Sequence, residues 1–314
     1  MTNRVKLLLL GISLALPVLI AGLLVGWMVV RTVQGLMIIT TIVFAIFFVV
    51  ACGFYLFSDT VLLRWYRAKE VEDENTPLHD IVRRLVPKAG VPAPKVFIVE
   101  SAMPNAFATG RNAEHASIVV TNALLTALDT EELEAVLAHE LVHLKNDDTL
   151  LGSIVAVLSG ALTALTTVAF WGSIFTGFGQ EDDPAPNLIH FFVTALVAPV
   201  AALIIQLMVS PSREYHADEQ SVRMTEKPHT LISALEKLES QLQSDTFDVN
   251  PSHVHLFFMN PLHGDEQNIM DLRLPTYHPL FRTHPLTEDR LNALRELQVS
   301  LGTTYKTENG LKWD

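Results

Sequence analysis

The chain has 314 residues, 49% of them apolar and only 18% charged, with 22 Lys and Arg against 34 Asp and Glu for a net charge of −12. Soluble domains carry about a quarter charged residues, so the shortage is informative wherever the apolar residues cluster. The acidic balance excludes a nucleic-acid partner, which needs a basic face to replace phosphate counterions, and the single cysteine, Cys52, excludes a disulfide framework or a cysteine-cluster metal site.

The first predicted element is a membrane span. No charge occurs between Lys6 and Arg31, and about two dozen apolar residues cross roughly 30 Å of hydrocarbon as a helix. The run is about twice the length of a signal-peptide core and another follows it at once, so it reads as an anchor rather than a cleaved leader. That second uncharged run extends from Thr32 to Phe57. Together the two make a first unit, residues 1–58.

Residues 59–148 are polar by comparison. Thr76-Pro77 opens a predicted helix with Leu78, Ile81, Val82, Leu85 and Val86 at helical spacing, ending at Gly90. Lys95–Val99 and Ala116–Val120 read as strands, with a turn-rich Asn105–Gly110 between them. Asp129 is the predicted N-cap of the next helix, with Glu132 three residues on as in a capping box. That helix carries His139-Glu140-Leu141-Val142-His143. Two histidines four apart lie about 40° apart around the helix axis, so both imidazoles can reach one metal. Glu140 beside them is placed to take a proton from a water that the metal activates. Glu131, Glu132 and Glu134 on one flank, with Lys145, Asp147 and Asp148 on the other, put this helix in water rather than lipid.

Two more uncharged runs follow, from after Asp148 to Gln180 and from Leu188 to Val209. They predict a membrane hairpin over residues 149–209. Arg4 and Lys6 precede the first span and Arg64, Arg67 and Lys69 follow the second, whereas the loop between the last two carries Glu181, Asp182 and Asp183. The positive-inside rule then places residues 59–148 and 210–314 on the cytoplasmic side of a cell membrane.

A hairpin brings its two ends together, which sets Ser212–Asp218 near His143. Glu214 is the predicted third ligand, completing a His/His/Glu set with a fourth position left open. His216 is its rival, although it projects about 200° around the helix from Glu214. Asp218, one turn on, is placed to hold a ligand histidine through its other ring nitrogen. Further along, His253, His255, His263 and His278 read as solvated loop histidines. Phe257-Phe258-Met259 reads as a contact with lipid or substrate, and the tail after about Leu301 as frayed.

Several motifs together resemble the HtpX family of membrane-embedded zinc metallopeptidases. They are Ala89-Gly90-Val91-Pro92, Asn105–Asn112, His139–His143 followed by Asn146-Asp147, Arg213-Glu214-Tyr215 with Ala217-Asp218, and Thr283-His284-Pro285 with Arg290. The likeness extends from about residue 5 to 295, including the four spans. It departs at Leu286, where a second proline is common, and at Asp147, where glycine is common. The resemblance implies four transmembrane helices carrying a cytoplasmic zincin-like α+β domain, with one zinc ion held by His139, His143 and Glu214 and with Glu140 as base. It also implies endoproteolysis of misfolded membrane proteins as quality control.

Around that set, His284 is the candidate oxyanion stabiliser, with Tyr215 as alternative, and Asn146, Asp218 and Arg290 are expected behind the ligands. Substrate backbone is expected to add to an exposed edge of Ala116–Val120 at Ile118, helped by Asn105. The flanking charges weigh against an intramembrane protease; two other readings stay open, a prenyl-protein endopeptidase of the CAAX type and a catalytically silent metal-stabilised adaptor.

Overall fold

A computed structural model describes residues 33–154, 211–244, 256–259 and 285–308. The first and fourth predicted spans, the third beyond residue 154, His284 and the four loop histidines lie outside the described residues. The second uncharged run falls on helix α1 (Val33–Trp65), which has no acidic residue in its first turn and Arg64 in its last. Met37, Phe48 and Val49 are among its exposed apolar side chains. Counted over the described residues alone, no helix is long and apolar enough to cross a membrane.

The polar segments form an α+β unit. Thr76 caps helix α2 (Pro77–Ala89) by accepting from the His79 amide, Pro77 occupies the first turn, and Gly90 ends the helix at φ 71°. Its apolar stripe, Leu78, Ile81, Val82, Leu85 and Ala89, is buried. The predicted strands form as β2 (Lys95–Val99) and β4 (Ala116–Thr121) and pair in parallel. Two further strands complete the sheet, a short β1 (Lys69–Glu70) and β3 (Ala106–Gly110), in the order β1-β2-β4-β3.

That order corrects two expectations. The segment read as turn-rich is a strand, paired antiparallel to β4 with Ala108 opposite Ile118. The segment read as a free edge is central: Ile118 pairs with Val96 on one side and Ala108 on the other and is fully buried. An incoming peptide therefore finds no open ladder on β4. The outer strand on this side is β3.

A short helix α3 (Asn122–Ala127) leads into α4 (Thr130–Lys145). The predicted capping box is present, with Asp129 accepting from the Glu131 and Glu132 amides while the Glu132 carboxylate accepts from the Asp129 amide. Such a cap stabilises by about 1 kcal/mol. Glu132 also binds Ser233 and Lys237 of helix α6 (Pro228–Ser244), pinning α6 across α4. Almost every residue of α4 from Leu133 to Val142 is buried, so this helix is the centre of the core. It packs against β3, α2, α6 and helix α5 (Pro211–Thr225), and helix α7 (Thr287–Glu308) closes over α5 and α6. The helix of α7 continues past Leu301, where a frayed tail was expected.

Phe257, Phe258 and Met259 are buried rather than facing lipid or substrate. Asn105 explains their placement. It donates from Nδ2 to the Met259 carbonyl and accepts at Oδ1 from the Ala106 amide, while the Phe258 amide donates to the Ala106 carbonyl. Asn105 is thus a fully buried tether between this segment and β3, not a residue presented to a peptide.

Candidate active site

α4 presents His139, Glu140 and His143 toward α5, which brings Glu214. The two Nε2 atoms are 3.1 Å apart, and the Glu214 carboxylate oxygens lie 3.6 Å from His139 Nε2 and 3.7 Å from His143 Nε2. Each histidine turns its other nitrogen to a carboxylate: His139 Nδ1 is 2.9 Å from Asp218 Oδ1, and His143 Nδ1 is 3.0 Å from Asp148 Oδ2. With a proton on each Nδ1, both Nε2 atoms and the Glu214 carboxylate converge on one point, an arrangement suited to a cation.

The electrostatics agree. Burial by itself would push the His139 pKa down, yet Asp218 and Glu214 overcome burial and push it up to about 9 in the metal-free protein. The ligand atoms of His139, His143 and Glu214 all fall within 4.8 Å of one another. Tetrahedral zinc with bonds of about 2.0–2.1 Å needs its donors roughly 3.3 Å apart. The donor set and its spacing therefore fit that ion. His216, the rival ligand, is exposed on the other face of α5 and takes no part in this group.

Glu140 is 2% exposed. Burial raises its pKa above the ordinary carboxylate range, against the lowering effect of His143 and His139 and of a hydrogen bond from the Ala108 amide of β3. The same residues wall an open cleft, completed by Thr149, Gly152, Leu256 and Phe257.

Behind His139 stands Arg290. It is 2% exposed and holds Asp218 with two hydrogen bonds, Nε to Oδ2 at 2.8 Å and Nη2 to Oδ1 at 2.7 Å, and it donates from Nη1 to the Phe258 carbonyl at 3.0 Å. Burial resists charging Asp218, but Arg290 keeps its pKa low. The Phe258 ring lies edge-on to His139 at 5.0 Å and beneath the guanidinium at 4.8 Å. Asn146 occupies the C-cap of α4, and it is Asp148 that reaches His143. The site roles of Asp148 and Arg213 were missed in the sequence, where Asp148 served as a flanking charge and the edge of an uncharged run, and Arg213 as part of a family motif. The available signal was a carboxylate five residues after a metal-type histidine.

A family model for peptidase family M48 matches residues 72–298. The chain belongs to peptidase family M48. It is a metallopeptidase that hydrolyses peptide bonds in polypeptide substrates. A protease HtpX homolog of Pyrococcus furiosus is 42% identical over 290 residues, covering 91% of this chain and 95% of the relative. One from Thermococcus kodakarensis is 41% identical over 253 residues, covering 80% and 84%. The crystal structure of Ste24p from S. mikatae superposes with a TM-score of 0.48 at 21% identity; the match covers 93% of this chain and 65% of that one. Among M48 peptidases the HtpX likeness expected from the motifs is thus the one found, and the prenyl-protein endopeptidase and silent-adaptor readings are not favoured.

Proposed function

We propose that this M48 peptidase is a membrane-bound zinc endopeptidase that cleaves misfolded or damaged membrane proteins at the cytoplasmic face of the cell membrane. The observation that carries the reading is the convergence of His139, His143 and Glu214 beside the buried Glu140. These three side chains would hold the ion. Bound there, zinc supplies a Lewis acid that acidifies water and polarises a peptide carbonyl.

The chain's own residues do the rest. Glu140 takes a proton from the attacking water and returns it to the leaving amine, and its raised pKa moves it toward the operating pH, where a base that must also act as acid works best. The Ala108 amide aims that carboxylate. Asp218 holds the His139 ring, and Arg290 holds Asp218. The cleft alongside β3, rather than an edge of β4, receives the extended substrate. His284 is proposed to stabilise the oxyanion, with Tyr215 in reserve.

Support for a membrane comes from the four uncharged runs and from the exposed Met37, Ile38, Phe48, Val49 and Phe57 of α1, a surface ill suited to water. The proposed organisation is two spans over 1–58, catalytic segments over 59–148 and 210–314, and a membrane hairpin over 149–209. The test is cleavage of a misfolded membrane protein by wild type and Glu140→Ala, with metal content measured in both. Cleavage and zinc in the wild type, with zinc but no cleavage in the variant, is expected; equal cleavage by both would overturn the assignment.

A further inference from the structure

One ion pair at the mouth of the cleft has no part in the chemistry described above. Asp148 divides its carboxylate between two partners: Oδ2 lies 3.0 Å from His143 Nδ1, and Oδ1 accepts from Arg213 Nη1 at 2.8 Å. The other ligand histidine has the same construction, with Asp218 on His139 Nδ1 and Arg290 on Asp218. We propose that Asp148 and Arg213 are positioning residues for the second metal ligand. Asp148 fixes the tautomer and rotation of His143, and Arg213 fixes Asp148. The inference rests on the metal reading given above.

Chain geometry argues that this contact is built rather than incidental. Residues five apart on a straight helix point about 140° away from each other, so Asp148 could not reach His143 if α4 simply continued. The helix instead stops at Asn146, and Asp147 takes the left-handed conformation at φ 56°. That one residue turns the chain so that the carboxylate following it folds back onto His143. Asp is among the few side chains tolerated there, which accounts for an aspartate at a position suited to glycine. Arg213 precedes Glu214 directly, so one ion pair ties the start of α5, and with it the third ligand, to the residue that orients the second. The two pairs differ in depth. The Arg290 side chain is 2% exposed and that of Arg213 is 21% exposed, so the Arg213 pair can be altered without opening the core.

The test uses the full chain in detergent micelles, with zinc affinity measured against a competing chelator, the visible spectrum of the cobalt-loaded protein, and KM and kcat at saturating zinc. Asp148→Ala is expected to weaken zinc binding about 10–100-fold and to shift the cobalt bands. Asp148→Asn keeps most of the affinity, because an amide oxygen accepts the same Nδ1–H. Arg213→Ala shows a smaller loss, Arg213→Lys recovers part of it, and KM is unchanged throughout. The double variant Asp148→Ala/Arg213→Ala is no worse than Asp148→Ala alone, since Arg213 acts through Asp148. Additive losses, or a raised KM in Arg213→Ala at wild-type zinc affinity, would show Arg213 acting on substrate and overturn the proposal. So would wild-type affinity and spectrum in Asp148→Ala. If Asp148→Ala does not fold, judged by melting of the chelated protein, Asp148→Asn and the Arg213 variants decide. A wild type that binds no zinc overturns both this proposal and the metal reading; a wild type that binds zinc and cleaves, beside unaffected variants, overturns this one alone.

Discussion

A carboxylate sealed among apolar side chains resists ionisation, and Glu140 keeps its function because two histidines and the Ala108 amide face it. Glu140→Gln removes the proton carrier while preserving shape, and is expected to cut kcat by about 10²–10⁴ with zinc content unchanged, checked by peptide-cleavage kinetics and metal analysis. Asp218 and Arg290 are buried together, so Arg290→Met strands a carboxylate. The expected loss is about 3–5 kcal/mol, read as a lower melting temperature, with part restored by Arg290→Lys. His139 gives the metal-free protein a pH dependence. Its pKa is about 9 folded and 6.5 in the unfolded reference, so protonation favours the folded state fully below about pH 6.5. That contribution fades as pH rises through 9. Melting temperatures of the chelated protein from pH 6 to 10 should fall across this window, while zinc, which needs the unprotonated ring, binds more weakly in acid. The histidine pair and Glu140 were legible because a helix of known period fixes their directions. Asp148 was not, because its role depends on one residue at positive φ, which spacing rules for a regular helix pass over.

Elements carry a second group of consequences. Gly110 ends β3 at φ 149°, and a Cβ there would lie 2.5 Å from the His115 carbonyl oxygen. Gly110→Ala therefore combines backbone strain with a collision against main chain. We expect a loss on the order of 3 kcal/mol by thermal or chemical denaturation, with the cleft's edge strand displaced. Proline separates the two strands: Ile118→Pro breaks a central ladder and should unfold the domain, whereas Ala108→Pro removes the amide that aims Glu140 and should lower kcat in a protein that still folds. Circular dichroism beside activity distinguishes the two. The strands at 95–99 and 116–120 were legible as apolar β-branched runs. β3 was not, because Ala-Phe-Ala-Thr-Gly has no alternation and a single β-branched residue, Thr109, and it is as the partner of β4 that it becomes a strand. Phe257–Met259 misled for a related reason. Three apolar residues in a row suit lipid, substrate or core equally, and the choice of core is made by Asn105, more than 150 residues earlier in the chain.

At the scale of the molecule, the metal ligands come from two helices on either side of the proposed hairpin, so a bound ion joins segments distant in sequence. Chelation should lower the melting temperature as well as abolish cleavage; zinc at a thousand times its dissociation constant is worth about 4 kcal/mol. Restoring zinc should recover both. The meeting of α4 and α5 was expected from charge alone, because the uncharged runs predict where the chain leaves the polar side and returns. The contribution of α7 was not, since nothing local marks Arg290 as the partner of an aspartate 72 residues before it. That separation sets an order of assembly during synthesis. A ribosome-bound chain displays all three ligands and the base well before α7 emerges, yet until then Asp218 has no guanidinium against it, and His139 lacks a settled support. The support of His139 is thus among the last parts of the site that the growing chain completes.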